Sequence, residues 1–126
     1  MNATKALAIT LSKPNGFMLM FKYDDAMSEM NVAMAAIEAT YEGKRPSKAR
    51  EKACERLAMA EGKVLALRDA LACMVIDTSD YTVTRRQAVR AISDEHDAMA
   101  ESCWLAPIGR VRMMALAYKL CSMLNN

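Results

Sequence analysis

Two matched runs of apolar residues occupy the middle of the sequence. Between Asp24 and Glu42 they fall at Met27, Met30, Met34, Ile37 and Tyr41, in steps of three, four, three and four. Between Ser47 and Val75 the same rhythm passes through Ala53, Leu57, Ala60, Val64, Leu67, Leu71 and Met74. That spacing gathers every apolar side chain onto one stripe of an α-helix and would scatter them over both faces of a strand. Gly43 stands where a helix stops, and Pro46 disfavours a helical Arg45. The link is short, so the two helices must lie antiparallel, and residues 24–75 read as a helical hairpin. Ala53 and Ala60 are small enough to let the helices approach closely. Gly62 weakens its helix by about 1 kcal/mol relative to Ala.

Downstream, Asp77-Thr78-Ser79-Asp80-Tyr81 is a polar break. Thr84 with Gln87 three residues later forms a capping box, which opens a third helix over 84–103 with a seam at Val89, Ile92, His96, Met99 and Cys103. Pro107 can open a fourth helix over 107–125, apolar on most sides apart from Arg110, Arg112, Lys119 and Ser122. A helix apolar nearly all round is buried in a fold or shared between subunits.

The N-terminal stretch LSKPNGFMLMF supports two structures. Leu7, Ile9 and Leu11 alternate on one side of Pro14-Asn15-Gly16, and Phe17, Leu19, Phe21 and Tyr23 alternate on the other. Gly16 suits a hairpin position with positive φ. Asn15 could instead cap a helix, with Phe17, Met20 and Tyr23 extending the seam of Met27 backward. The alternation favours the strands. The expected fold is therefore α+β and mostly helical: an N-terminal β-hairpin within 1–23 packed on a four-helix array, in one domain spanning 1–126. The alternative is an all-α bundle whose long first helix begins at about residue 17.

Composition fits an ordinary globular chain, with 53% hydrophobic and 25% charged residues. No apolar run approaches the roughly 18 residues of a membrane span, and the start lacks the layout of a signal peptide. No membrane association and a cytoplasmic location are expected. Cys54, Cys73, Cys103 and Cys121 form no CxxC pair, so they are expected to be reduced, buried thiols. The twelve methionines suit either a plastic core or an adaptable binding surface.

Charge is segregated although its sum is only +2. Residues 24–42 carry the acids Asp24, Asp25, Glu29, Glu38 and Glu42 and no base, whereas 44–56 carry Lys44, Arg45, Lys48, Arg50, Lys52 and Arg56 against two acids. The simplest expectation is attraction along the exposed edges of the hairpin, worth tenths of a kcal/mol per pair. The alternative is a phosphate-binding surface extended by Arg85, Arg86 and Arg90. It lacks the interleaved aromatics of a single-strand binder. Thr84-Arg85-Arg86-Gln87 could start a recognition helix, but the segment from Asp77 to Val83 is too long for the tight turn of a helix-turn-helix.

Parts for catalysis are scarce. His96 is the one histidine. On a helix its neighbours Glu95 and Asp97 point elsewhere, which leaves His96 on the apolar seam without a carboxylate from its own helix. No metal-ligand, phosphate-loop or nucleophile-elbow motif occurs. A di-iron bundle would need Glu-x-x-His on two helices. Neither a catalytic residue, a metal site nor a cofactor is expected, and the chain does not read as an enzyme. Its single Trp lies in Cys103-Trp104-Leu105-Ala106-Pro107-Ile108, where Trp is suited to dominate a binding surface. Trp104, Leu105, Ile108 and Tyr118 are the candidate interface residues. The expected function is a small non-catalytic protein-interaction module, an adaptor, regulator or inhibitor that also self-associates. The alternative is a nucleic-acid-binding regulator using Lys44, Arg45, Lys48, Arg50, Lys52, Arg56, Arg85, Arg86 and Arg90.

Overall fold

The computed structural model describes the backbone of residues 1–40 and 48–102 and the side chains of 1–40 and 48–99. These residues form α1 (Ala3–Leu11), α2 (Pro14–Thr40), α3 (Lys48–Thr78) and α4 (Arg85–Ser102), and no strand occurs among them. Trp104, Leu105, Ile108, Tyr118, Lys44 and Arg45, and the expected helix over 107–125, lie outside the described residues.

The expected β-hairpin is absent. Asn2 caps α1 by accepting the Lys5 backbone N–H on Oδ1 at 2.8 Å. Ala6, Leu7 and Thr10 are buried, which is a helical spacing rather than the alternation of Leu7, Ile9 and Leu11. Ser12 ends α1, and after Lys13 the chain turns directly into α2. Pro14 occupies the first position of α2, where its missing N–H costs nothing. The helix thus starts earlier than the alternative reading placed it, and Asn15 is not its cap.

Gly16 has a different use from the one its turn-like context suggests. A Cβ there would overlap the Thr10 carbonyl oxygen and lie 2.8 Å from Thr10 Cγ2. Glycine is required because α1 and α2 cross at this point with their backbones almost in contact. Thr10 is fully buried beside it, donating its hydroxyl to the Ala6 carbonyl at 2.8 Å and lying 3.2 Å from the Thr78 hydroxyl.

The α2–α3 hairpin forms as its seams require, and Ala33, Ala53 and Ala60 are buried. At the far end, Arg50 donates to Thr40 from Nε to Oγ1 at 3.1 Å and from Nη2 to the carbonyl at 2.9 Å, which satisfies an end-of-helix acceptor of α2. α3 runs on through the polar break and ends in a Schellman motif. Asp80 N–H bonds the Asp77 carbonyl and Tyr81 N–H bonds the Ile76 carbonyl, each at 3.1 Å. Asp80 and Tyr81 take φ of 55° and 64°, the left-handed region that usually calls for glycine. The absence of that glycine is why the sequence signals end the helix too early. The capping box of α4 is present in both directions: Thr84 N–H donates to Gln87 Oε1 at 3.0 Å and Gln87 N–H to Thr84 Oγ1 at 3.2 Å.

α1 and α4 pack on one side of the hairpin, at the end nearer Pro14 and Thr78. The core there is built from Ala6, Leu7, Met20, Tyr23, Leu71, Val75, Val83, Ala88 and Ile92, among others. Ala33, Ala53 and Ala60 fall outside this cluster, so beyond about Met30 the two helices continue as an arm held by their own small-residue seam. No helix among the described residues is long and apolar enough to cross a membrane.

Candidate protein-interaction surface

The face of the α2–α3 hairpin turned away from α1 and α4 carries a groove. Val32 lies nine residues after Tyr23, and Arg68 nine after Met59. Nine residues are about two and a half turns, so each pair points in opposite directions from its helix. Tyr23 enters the core shared with α1 and α4, and Arg68 lies on the same side, its Nε buried and its charge close to Tyr23. Val32 and Met59 therefore face outward on the far side, where they are 67% and 68% exposed. Between them lies a groove of about 440 Å³ lined by Val32, Ala33, Met59 and Ala60, with Asp25, Glu29, Arg56 and Lys63 among its margins. A second hollow of about 230 Å³ shares Asp25, Glu29 and Lys63 and extends the channel to Lys22 and Leu67. Glu29 and Lys63 are bridged at 3.4 Å, with both side chains about half exposed. The seam alanines make the groove: they bring the helix axes together while leaving no bulk to fill the outer crease.

The sequence reading did not select this face, because it sought apolar residues on the seam. Val32 and Met59 lie off the seam, and only that displacement signals them. Met34, placed on the seam, is 45% exposed among the described contacts, while Met27 and Met30 are half-buried. Cys54 and Cys73, expected to be buried, are exposed.

The basic candidates do not converge. Lys48, Lys52 and Arg56 are exposed near the end of the arm, whereas Arg50 is committed to Thr40. Arg85 pairs with Asp69 at 2.7 Å at the opposite end of α3, and Arg86 and Arg90 are exposed on the first turns of α4. From Arg56 to the end of α3 at Thr78 is about 33 Å of helix rise, so the two sets form separate patches. Glu29 does bridge across the hairpin, but to Lys63, a base outside the expected 44–56 segment.

Asp24, expected among the acids of the exposed hairpin edge, is not exposed. It is 6% exposed within α2, and its Oδ1 lies 2.8 Å from His96 Nε2. A carboxylate can only accept, so the imidazole donates Nε2–H. The Tyr23 ring meets the imidazole edge-on, at 5.4 Å between centroids and 84° between planes. Burial pushes the His96 pKa below its ordinary value, against the opposing charge of Asp97. Burial raises the Tyr23 pKa, while a hydrogen bond to Ser93 and the charge of Arg68 pull it down. The missing carboxylate partner of His96 thus comes from another helix, 72 positions away in sequence. With side chains 11% and 9% exposed, the pair is an internal tie between α2 and α4, not an open acid–base site. No group of three or more metal-ligating side chains gathers among the described residues.

No family model matches the chain, and neither a curated protein nor a solved structure is similar to it.

Proposed function

We propose that this chain is a small protein-binding module, an adaptor, regulator or inhibitor, that works through the outer face of its α2–α3 arm. The observation that carries this reading is the pair Val32 and Met59, both about two-thirds exposed across a groove floored by alanine. A pair of large apolar side chains held apart over a hollow is an anchor site, with the charges at its margins setting orientation. His96 and Asp24, about nine-tenths buried, are read as a tie between helices rather than as a site for a substrate.

The test is a comparative recovery from native extract, with each recovered protein then purified and titrated by calorimetry. Val32→Glu should abolish the titration, whereas Leu65→Glu, on the exposed opposite side of α3, should leave it intact. Equal binding by both variants refutes the reading. The second reading, nucleic-acid binding, draws on the exposed Lys48, Lys52 and Arg56. It requires duplex binding that falls steeply with salt and is lost in Lys52→Glu/Arg56→Glu.

A further inference from the structure

We infer that the outer face of the α2–α3 arm binds a second copy of this chain about a two-fold axis parallel to the two helices. The inference rests on the reading of that face as the working surface and names its partner. The argument is charge complementarity. On this face α2 carries the acids Asp25 and Glu29, with one base, Lys22, at the end of the channel, and α3 carries the bases Arg56 and Lys63. Glu29 and Lys63 are at the same level of the hairpin, 3.4 Å apart.

Two copies can meet face to face about a two-fold axis in two ways. If the axis crosses the helices, α2 lies over α2 and α3 over α3, which sets acids against acids and bases against bases. If the axis runs parallel to the helices, α2 of each copy lies over α3 of the other, antiparallel to it and in the same register. Glu29 then faces Lys63 of the second copy, and Val32 faces Met59. The result is a four-helix layer at the centre, with each α1–α4 pair on the outside, where it cannot obstruct contact. An isologous interface of this kind needs only one self-complementary patch.

The area sets the size class of the interface. From Lys22 to Thr40 the face is about 27 Å long by helix rise. Two helices give about 20 Å of width, hence on the order of 1,100 Å² in total, at the low end of specific interfaces. Interfaces of this size are typical of weak, transient association, which sets the concentration range of the test.

The experiment is sedimentation velocity of the full chain between 2 and 200 µM, with circular dichroism confirming that each variant is folded. The wild type should pass from monomer to dimer. Lys63→Glu should weaken the dimer about tenfold, because two symmetric attractions become repulsions of exposed charges. The swap Glu29→Lys/Lys63→Glu should restore it. A crossing axis predicts the reverse sign for Lys63→Glu, since relief of base–base repulsion would tighten the dimer. Carbodiimide coupling of an equal mixture of ¹⁴N and ¹⁵N protein should give mixed-label Glu29–Lys63 cross-links. Three results overturn the inference: a monomer at 200 µM, a dimer unaffected or tightened by Lys63→Glu, or Glu29–Lys63 cross-links that are only same-label. None of these touches the broader protein-binding reading, which stands or falls on the Val32→Glu titration with a purified partner.

Discussion

The tie between α2 and α4 can be weighed by removing the Asp24 carboxylate. Asp24 Oδ1 lies 2.8 Å from His96 Nε2, and both side chains are about nine-tenths buried. A hydrogen bond to a charged group contributes about 1.5–3 kcal/mol, and this one lies in a site largely closed to water. Asp24→Ala should therefore cost about 2–3 kcal/mol. At roughly 3–4 °C per kcal/mol for a domain of this size, Tm should drop by about 6–12 °C. Asp24→Asn keeps an acceptor oxygen and loses only the charge assistance, so about 1 kcal/mol is expected. Urea unfolding at pH 7.5 measures both.

The same pair fixes a pH dependence. The His96 pKa is lowered by burial, so the unfolded chain binds the proton more tightly than the folded one. Stability from the neutral imidazole is therefore fully present above the unfolded value of about 6.5 and is lost as pH falls toward the folded value, at up to about 1.4 kcal/mol per pH unit. The groups around the imidazole are Asp24 and Tyr23 on α2 and Asp97 on α4, with Arg68 of α3 acting on Tyr23. Because the chain has a single histidine, its Cε1–H resonance reports this titration without ambiguity. A His96 midpoint above 6.5 would mean that the carboxylate outweighs burial, and the sign of the pH dependence would reverse. A loss below about 0.5 kcal/mol in Asp24→Ala would show that the pair does not hold α4 to α2.

Other changes test the backbone. Gly16→Ala places a methyl on the Thr10 carbonyl and should cost about 2–3 kcal/mol in denaturant unfolding, despite alanine's better helix propensity. Gly62→Ala meets nothing within 4 Å and should gain about 1 kcal/mol in the same assay. Asp80→Gly removes the left-handed strain at φ 55° and should gain roughly 0.5–1 kcal/mol, seen as a higher Tm. Thr84→Ala breaks the capping box of α4 and should cost about 1 kcal/mol, with faster amide exchange confined to the first turn of that helix.

The sequence by itself determined the elements whose signals are local. The three-and-four spacing made α2 and α3 helices, and the alanines at 53 and 60 marked where they approach. Thr84 and Gln87 fixed the start of α4, since both partners of that box lie within one turn. Tertiary structure decided what local signals leave balanced. Residues 5–23 carry period-two and period-3.6 patterns together, and the helical form prevails because it buries Thr10 and Met20 against α3 and the core while Gly16 lets α1 and α2 cross. The end of α3 was misplaced because Asp80 and Tyr81 adopt a conformation that their identities do not advertise. Asp24 looked like one more acid in a run of exposed acids, and its partner His96 lies on a helix that only the packing brings near. The outer groove was hidden for a related reason. A seam pattern reports the side of a helix that is covered, and whether Val32 and Met59 stay uncovered depends on which face α1 and α4 choose.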